Sequence, residues 1–280
     1  MSALHPPAGA VREVVARALA EDLGPLGDLT AALVPPGATI AADLVPRSAG
    51  VLAGRLAATE TFAQVDPSLA VRWHADDGDA VAPGVPVGEV AGALSSVLTA
   101  ERTALNLLSH LSGVATLTRR FVEAAGGRAR IRDTRKTTPG LRALEKAAVR
   151  AGGGVNHRGS LSDGVLVKDN HLAGLSVAEA VERARQLWPG RAVQVECDTA
   201  EQVKEAVEVG AELVLLDNMT PEQVAACVEL VGGRCLVEVS GGVTLETVAA
   251  YAAAGADLVS VGAITHSAPV LDIGLDVRLR

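Results

Sequence analysis

The second half of the chain alternates short apolar runs with amphipathic stretches. The runs are rich in β-branched residues and read "RAVQVECD", "AELVLLDN" and "RCLVEVSGG". Each precedes a stretch of about ten to twelve residues in which apolar side chains recur at helical spacing, such as "TAEQVKEAVEVG". Glu196, Asp217 and Glu238 recur in this part of the chain at intervals of 21 residues. This alternation predicts βα units around a parallel sheet.

Two further apolar runs, "ARIRDT" and "DGVLVKDN", precede the repeat and lead into polar loops. No glycine-rich G-x-G-x-x-G turn follows any of these strands, so a (β/α) barrel is favoured over a doubly wound open sheet. In such barrels the functional groups lie at the carboxyl ends of the strands. We therefore expect the polar residues at the predicted strand ends to meet in one site: Arg135, Lys168, Glu196, Asp217 and Ser240.

The N-terminal part of the chain has a different pattern. Glycine and proline interrupt strand-like runs such as "PGATIAADLVPRSAGVLAG", which indicates a small α/β domain. The stretch "TAERTALNLLSHLSGVATLTRRFVEAAGG" predicts a long amphipathic helix that starts near Thr99 and joins this domain to the barrel. Arg102 then lies in the first turn, where the helix dipole disfavours a cation. We expect an N-terminal domain over 1–104, a barrel over 105–266, and a tail over 267–280 that packs on the N-terminal domain.

Composition narrows the class of protein. Hydrophobic residues make up 49% of the 280 residues but aromatic residues only 2%, so the core is built from Ala, Val and Leu. No apolar run approaches the roughly 18 residues that span a membrane, and the N-terminus lacks the pattern of a secretory signal. Three cysteines without metal-ligand spacing indicate buried thiols in a reducing compartment. We therefore expect a cytoplasmic protein.

Charge is distributed unevenly along the chain. The net charge of −8 disfavours nucleic acids and anionic membranes as partners, and aromatic side chains that stack on bases are scarce. The window 128–168 is the exception, because it holds ten Lys or Arg and only three acidic residues. A basic island in an acidic chain predicts a local site for anions.

Part of this window is predicted to be an ordinary helix. Thr138 and Pro139 have the character of an N-cap and a first helical residue, and Gly152 that of a C-terminal stop. Between them a cation recurs every four residues opposite apolar positions, which predicts a solvated face: Arg142, Lys146 and Arg150. The cations that this face leaves unexplained lie near strand ends or in loops: Arg132, Arg135, Lys136, Arg158 and Lys168.

The strand-end cations form a candidate site for a ligand with several carboxylates or phosphates. Arginine binds carboxylates through a planar fork, whereas lysine offers a compact point charge. His157 lies beside Arg158 in the sequence, either as a ligand-binding group or as a structural histidine next to a glycine-rich loop.

Two carboxylates and two glycine-containing turns complete the candidate site. Glu196 and Asp217 end neighbouring strands, where carboxylates bind Mg²⁺ directly or through water, or accept hydrogen bonds from sugar hydroxyls. Ser240-Gly241-Gly242 is predicted to open a helix whose N–H groups face a phosphate. Gly262 and His266 follow the next strand, at the phosphate position of the last barrel loops. Together these groups suit a phosphorylated sugar joined to an anionic acceptor.

Five segments carry a resemblance to a known family. They are "IRDTRKTTPGLRALEKAAVRAGGGVNHRGSLSDGVLVKDNH" (131–171), "TAERTALNLLSHLSG", "VECDT", "LLDNM" and "EVSGGV". Together they resemble the quinolinate phosphoribosyltransferases, also called carboxylating nicotinate-nucleotide pyrophosphorylases. The resemblance implies a small N-terminal α/β sandwich and an incomplete (β/α) TIM-like barrel. It also implies that quinolinate and 5-phosphoribosyl-1-pyrophosphate react, with Mg²⁺, to nicotinate mononucleotide, pyrophosphate and CO₂ in de novo NAD synthesis.

The resemblance further implies a role for each candidate residue. The partner is a second copy, in a homodimer with shared active sites or in a higher oligomer, and it contributes Arg102. The quinolinate carboxylates are bound by Arg102, Arg135, His157, Arg158 and Lys168. The ribose hydroxyls and Mg²⁺ are held by Glu196 and Asp217, and Lys136 lies at the junction with the pyrophosphate. The 5-phosphate is held by Ser240, Gly241, Gly242, Gly262 and His266. Catalysis is assigned to Lys136, Lys168, Glu196 and Asp217.

Four other functions are considered at this point. A sugar-phosphate aldolase on a similar barrel would use Lys168 for a Schiff base, although the dense cluster of arginines does not favour it. The second is a non-enzymatic anion-binding module. The third is a nucleic-acid-binding protein, which the scarcity of aromatic side chains does not favour. The fourth is a related phosphoribosyltransferase that acts on another aromatic acid.

Overall fold

The computed structural model describes residues 5–172 and 174–278. The helices are α1 (Ala8–Leu23), α2 (Arg55–Val65), α3 (Leu94–Ala125), α4 (Arg142–Ala151), α5 (Val177–Leu187), α6 (Ala200–Glu208), α7 (Pro221–Val231), α8 (Val248–Ala253) and α9 (Ala263–His266). The strands are β1 (Thr39–Pro46), β2 (Gly50–Val51), β3 (Ala70–Trp73), β4 (Ala80–Val81), β5 (Gly88–Ala93), β6 (Arg130–Arg132), β7 (Val165–Val167), β8 (Val193–Cys197), β9 (Leu213–Asp217), β10 (Leu236–Ser240), β11 (Leu258–Ser260) and β12 (Ile273–Arg278). Among these described helices, none combines the length and the apolar character that crossing a bilayer requires.

The described residues divide into two compact units. The first contains those of Met1–Arg119, Thr137–Gly153 and Ile264–Arg280, and the second those of Arg120–Lys136 and Gly154–Ala263. The first unit is built on a four-stranded antiparallel sheet in the order β12-β1-β5-β3. Its core joins the sheet to α2 and α3 through buried side chains such as Leu44, Phe62, Val90, Val97 and Leu108.

Helix α3 begins at Leu94, earlier than the predicted start near Thr99. Val97 is fully buried, so packing holds the residues ahead of Thr99 in the helix. The hydroxyl of Thr99 donates to the carboxylate of Asp28 at 2.8 Å rather than capping the helix. Arg102 therefore lies in the third turn, and the prediction that it lies in the first turn is wrong.

Helix α4 begins at Arg142, so the prediction of an N-cap at Thr138 and a first helical residue at Pro139 is wrong. Gly140 has a φ of 83°, which takes the backbone out of the helical region, and the N–H of Leu141 closes a turn onto the carbonyl of Thr138 at 3.0 Å. The predicted stop at Gly152 is correct, because its N–H caps the helix on the carbonyl of Ala148 at 2.9 Å.

The basic face of α4 is not solvated, contrary to the prediction. Lys146 is only 6% exposed. The guanidinium of Arg150 is half-buried and donates to the carbonyls of His5 and Lys146 at 3.2 and 3.3 Å. Glu145 is fully buried and bonds to Nε2 of His110 at 2.8 Å. The helix is packed on its polar side as well as its apolar side within the first unit, which a periodic pattern of charges does not reveal.

The second unit is a six-stranded parallel sheet in the order β6-β11-β10-β9-β8-β7, with the helices α5 to α8 between successive strands from β7 to β11. Strands β6 and β7 form its two edges, as expected for an incomplete (β/α) barrel. The predicted fold class, an incomplete barrel with a small N-terminal α/β domain, is confirmed. Asp217 pairs in register with Ser240, whereas Glu196 and Glu238 both pair with Leu215. Glu196 and Glu238 therefore lie two residues closer to the start of the sheet than Asp217 does. The interval of 21 residues in the sequence does not correspond to equivalent positions in the sheet.

Alternation along the strands separates an apolar face from a polar face. Val195, Leu216, Val239 and Val259 are fully buried on the face that the helices cover. The residues between them point to the opposite face, where polar side chains line a cavity: Glu196, Asp217, Ser240 and Ser260.

Three helices of this unit start with the same local signal. Ser176, Thr199 and Thr220 are N-caps, and each forms a capping box with the Glu or Gln three residues later. Thr199 and Thr220 come two and three residues after the ends of β8 and β9, so these capping boxes fix where α6 and α7 begin.

Candidate active site

An open cavity of about 390 Å³ lies at the carboxyl ends of the strands of the second unit. Eight of the predicted site residues line it: Arg135, Lys136, His157, Arg158, Lys168, Glu196, Asp217 and Ser240. Thr134, Leu166, Leu215 and Ser260 complete the lining. The barrel thus brings together residues that are more than a hundred positions apart in sequence, as the positions of the strand ends predicted.

A buried aspartate shapes the loop that carries His157 and Arg158. Asp133 follows β6, is fully buried, and accepts hydrogen bonds from the backbone N–H of His157 at 2.8 Å and from the amide of Asn156 at 2.6 Å. Nδ1 of His157 accepts a bond from the N–H of Arg158 at 2.7 Å, so the ring carries its proton on Nε2 in the neutral form.

Two guanidinium groups meet on this side of the cavity. Burial lowers the pKa of Arg158, and the positive charge of Arg135 lowers it further. The Nη1 of Arg158 donates to the carbonyl of Gly164 at 3.2 Å, and Lys136 extends the basic side into solvent. Because the two arginines repel each other, a ligand with two negative charges would stabilise this arrangement.

Carboxylates occupy the middle of the cavity. Glu196 forms an ion pair with Nζ of Lys168, and Asp217 accepts a hydrogen bond from the side-chain amide of Asn218 at 2.7 Å. Both carboxylates are partly buried and lie on neighbouring strands, β8 and β9. Their position between strand-end cations and the Ser240 side of the cavity suits a ligand that has both hydroxyls and anionic groups.

The turn after β10 packs directly on the turn after β9. Asn218 is the only non-glycine residue with a positive φ (56°) among the described residues, and its N–H donates to the carbonyl of Ser240 at 3.0 Å. Gly241 has a φ of 95°, and a Cβ there would lie 2.2 Å from the side-chain oxygen of Asn218 and 2.8 Å from its backbone nitrogen. Only glycine fits this close approach.

Ser240-Gly241-Gly242 does not open a helix, contrary to the prediction. Helix α8 begins at Val248, after a bend in which Gly241 and Gly242 both have a positive φ. Left-handed residues cannot continue into an α-helix, so any ligand contact here uses the bend and not a helix N-terminus.

The structure does not place the other predicted residues in the lining of the cavity. Gly262 follows β11 and directly precedes the short helix α9. Arg102 and His266 belong to the first unit, where both are exposed, and Nδ1 of His266 bonds to the hydroxyl of Ser267 at 2.6 Å. Arg132, a strand-end cation that is not part of the basic face of α4, does not line the cavity either. Its guanidinium bonds to a buried carboxylate.

That carboxylate is Glu238, for which the sequence pattern predicts no role beyond its place in a repeat. It is fully buried and accepts hydrogen bonds from Nη1 of Arg132 at 2.6 Å, from the amide of Gln194 at 2.7 Å and from the hydroxyl of Ser260. Nε2 of His157 lies 3.6 Å from its other oxygen. The signal in the sequence was a single acid between valines in "LVEVS", which is unusual for a buried strand.

The carboxylates of the cavity suit a magnesium ion only together with a ligand. Within the described ranges no group of three or more His, Cys, Asp or Glu side chains is arranged to hold a metal. Glu196 and Asp217 offer two hard oxygen donors, and Mg²⁺ is commonly bound by one or two carboxylates plus substrate phosphates and water. The donor set therefore fits Mg²⁺ that arrives with a phosphorylated substrate.

Comparison with known protein families matches most of the chain. Residues 28–112 match "Quinolinate phosphoribosyl transferase, N-terminal domain", and residues 114–276 match the C-terminal domain of the same family. The chain belongs to the quinolinate phosphoribosyltransferase family. The resemblance that the sequence motifs indicated is thereby confirmed.

Relatives of this family are similar over nearly their full length. The carboxylating nicotinate-nucleotide pyrophosphorylase of Mycobacterium leprae (strain TN) is 46% identical over 278 residues, which cover 96% of this chain and 97% of the relative. A probable enzyme of the same name from Bacillus subtilis (strain 168) is 42% identical, over 92% of this chain and 90% of its own. The solved structure of the nicotinate-nucleotide pyrophosphorylase from Francisella tularensis has a TM-score of 0.94 at 36% identity and covers 98% of both chains.

Proposed function

We propose that this protein is a nicotinate-nucleotide diphosphorylase (carboxylating), a pentosyltransferase of de novo NAD synthesis. It transfers the phosphoribosyl group of 5-phosphoribosyl-1-pyrophosphate to quinolinate, with decarboxylation, to give nicotinate mononucleotide, pyrophosphate and CO₂. The observation that carries the proposal is the cavity itself, which places Arg135 and Arg158 beside Lys168, next to the carboxylates of Glu196 and Asp217. Family membership supports the same reaction.

The basic side of the cavity binds the two carboxylates of quinolinate. Arg135, Arg158 and Lys168 supply charge, and His157 lies among them. Each guanidinium can bind one carboxylate through a fork, while the ammonium of Lys168 adds a point charge. We infer that Arg102 of a second copy completes this set, in a homodimer with shared sites or in a higher oligomer, because Arg102 is exposed on the first unit.

The carboxylates face the sugar. We infer that Glu196 and Asp217 accept hydrogen bonds from the ribose hydroxyls and stabilise the positive charge that develops on the ring when the C1–O bond breaks. The same two residues would hold Mg²⁺, directly or through water, and the bound ion would neutralise charge on the departing pyrophosphate. Lys136 is exposed at the edge of the cavity, where its ammonium can offset the same charge. By resemblance to the family, we assign binding of the 5-phosphate to Ser240, Gly241, Gly242, Gly262 and His266.

The reaction needs no protein nucleophile. The pyridine nitrogen donates its lone pair to C1 of the ribose as the C1–O bond breaks and its electron pair leaves with pyrophosphate. The positive nitrogen then stabilises the electron pair that remains on the adjacent carbon when the C–carboxylate bond breaks and CO₂ departs, and a proton from solvent replaces the carboxylate. The chain thus positions the reactants and supplies a preorganised electrostatic environment.

One assay tests the function. Release of CO₂ from carboxyl-labelled quinolinate should depend on both phosphoribosyl pyrophosphate and Mg²⁺, and nicotinate should not be converted to its mononucleotide. Turnover of nicotinate, or of another aromatic acid in preference to quinolinate, would overturn the carboxylating assignment. Trapping of a carbonyl substrate on Lys168 by borohydride would instead favour the aldolase. A cytoplasmic location is part of the proposal and is tested by fractionation of the cells that make the protein.

A further inference from the structure

The floor of the cavity contains a carboxylate to which the proposed reaction gives no role. Glu238 lies within β10 and is fully buried, beneath the lining of the cavity. Two of the side chains next to it, His157 and Ser260, are themselves lining residues. Glu238 is therefore one step removed from any ligand in the cavity.

Both carboxylate oxygens of Glu238 accept hydrogen bonds, and the donors come from different strands of the barrel. Oε2 accepts from Arg132 at the end of β6 and from Gln194 on β8. Oε1 accepts from the hydroxyl of Ser260 at the end of β11, with Nε2 of His157 at 3.6 Å. One carboxylate thus bonds to side chains from strands on both sides of β10, including β6 at the edge of the sheet.

The contact with His157 continues to Arg158. Nδ1 of the imidazole accepts the N–H of Arg158 at 2.7 Å, and the N–H of His157 itself is held by Asp133 at 2.8 Å. The ring therefore lies between Glu238 at one nitrogen and the backbone of Arg158 at the other. A shift of the ring would move the loop that carries the Arg158 guanidinium.

We propose that Glu238 is a positioning residue for the half of the cavity that binds quinolinate, acting through His157 and Ser260 without touching the substrate. This inference rests on the proposed function. Its physical basis is that a displacement of about 1 Å in a binding group can cost up to a hundredfold in rate, even when the altered residue is remote from the chemistry. The alternative is that the Arg132–Glu238 ion pair only stabilises the fold.

The two roles separate in a comparison of variants. Glu238→Gln keeps the shape of the side chain but removes the charge that Arg132 and His157 face. The double variant Arg132→Met/Glu238→Leu replaces the buried ion pair by apolar groups, a change that is often neutral or stabilising for a fold. Glu212→Gln is the matched control, because Glu212 pairs with Arg185 at 3.1 Å and accepts the N–H of Val193 at the opposite end of the strands.

Steady-state kinetics and thermal unfolding are measured on all variants. For Glu238→Gln we expect the KM for quinolinate to rise about tenfold or more, with less than about a threefold change for phosphoribosyl pyrophosphate. The double variant should have a Tm closer to that of the wild type than Glu238→Gln has, whereas its KM for quinolinate should remain high. Glu212→Gln should leave both KM values unchanged. Gln194→Leu, which removes one donor to Oε2, should give a smaller shift in the same direction and serves if Glu238→Gln does not fold.

The results that would contradict the role of Glu238 differ from the result that would contradict the proposed function. A double variant with wild-type KM for quinolinate, or Glu238→Gln with an unchanged KM and a lower Tm, would show that the network is only structural. A wild-type protein that releases no CO₂ from quinolinate would overturn the proposed function and this inference together.

Discussion

Replacing Arg158 by alanine is expected to weaken quinolinate binding without lowering the stability of the free protein. Burial lowers the pKa of Arg158, and the charge of Arg135 lowers it further, so the guanidinium is held in a position that is unfavourable without an anion. A quinolinate dianion would offset both charges. Removal of the side chain therefore costs binding energy. In the free protein the relief of burial and of repulsion from Arg135 is set against the loss of the hydrogen bond to Gly164 and of the attraction to Asp163.

The expected loss of quinolinate affinity depends on which cations remain in the cavity. Loss of one member of a buried charged pair costs about 2–5 kcal/mol. Arg135 and Lys168 remain in the cavity, so we expect the lower part of this range, about 2–3 kcal/mol, or about 30- to 150-fold in Kd. Arg158→Lys is the matched control, because it keeps the charge and loses the fork, and it should lose less affinity than alanine.

Titration calorimetry with quinolinate and with phosphoribosyl pyrophosphate would measure the two affinities separately, with thermal unfolding in parallel. The expected result is a large loss for quinolinate, a small one for the second substrate, and an unchanged or higher Tm. Equal losses for both substrates, or a Tm lower by many degrees with unchanged quinolinate binding, would refute the assignment of Arg158 to the acid side of the cavity.

Three further outcomes are expected. Gly241→Ala should reduce activity and lower the Tm, because its Cβ would meet Asn218 at 2.2 Å and the φ of 95° disfavours alanine; wild-type kinetics and Tm would contradict the close approach. Mixed dimers of Arg102→Ala and Lys168→Ala subunits should regain activity that neither parent has, since one site of each mixed dimer would be intact; no rescue in verified heterodimers would argue against shared sites. Burial raises the pKa of Cys197 to about 12, so iodoacetamide at pH 8 should label this thiol only after unfolding, as peptide mass analysis would detect.

The strand ends of the barrel could be predicted from the sequence because two signals coincide there. Apolar β-branched runs mark the strands, and the polar residue that ends each run marks the edge at which parallel strands meet. Lys168, Glu196, Asp217 and Ser240 were found in this way, and all four line one cavity. Their roles in binding and catalysis remain predictions.

Local signals were less reliable where tertiary packing decided the outcome. Thr138-Pro139 is a common start for a helix, but the left-handed Gly140 delays α4 to Arg142. The spacing of cations along α4 predicts that its basic face is solvated, yet Lys146 is buried. A periodicity of charges shows which residues share a face, and it does not show whether another element covers that face.

Two predicted site residues lie outside the six-stranded sheet and its cavity. Arg102 lies in a helix of the first unit and His266 at the end of α9. His266 was predicted both from its position after the last strand of the repeat and from the resemblance to the family, whereas the role of Arg102 in the site depends on the resemblance alone. The experiment with mixed subunits is therefore the direct test for Arg102.

Position along the strand distinguishes most of the structural charges from those available to a ligand. Arg132 is the last residue of β6, and its guanidinium is bound to the buried Glu238. Arg135, three residues later, is beyond the strand and lines the cavity. Among the acids, Glu238 lies two residues before the end of β10 and is buried, whereas Asp217 ends β9 and lines the cavity. Glu196 is the exception, because it lies at the same level as Glu238 but lines the cavity, where it pairs with Lys168. A charge inside the barrel must find a partner there because water cannot reach it, while a charge at the rim can remain hydrated until a substrate replaces the water. Residue type alone therefore cannot identify the site. Position along the strand narrows the candidates, and the partner that each charged side chain finds in the fold decides between them.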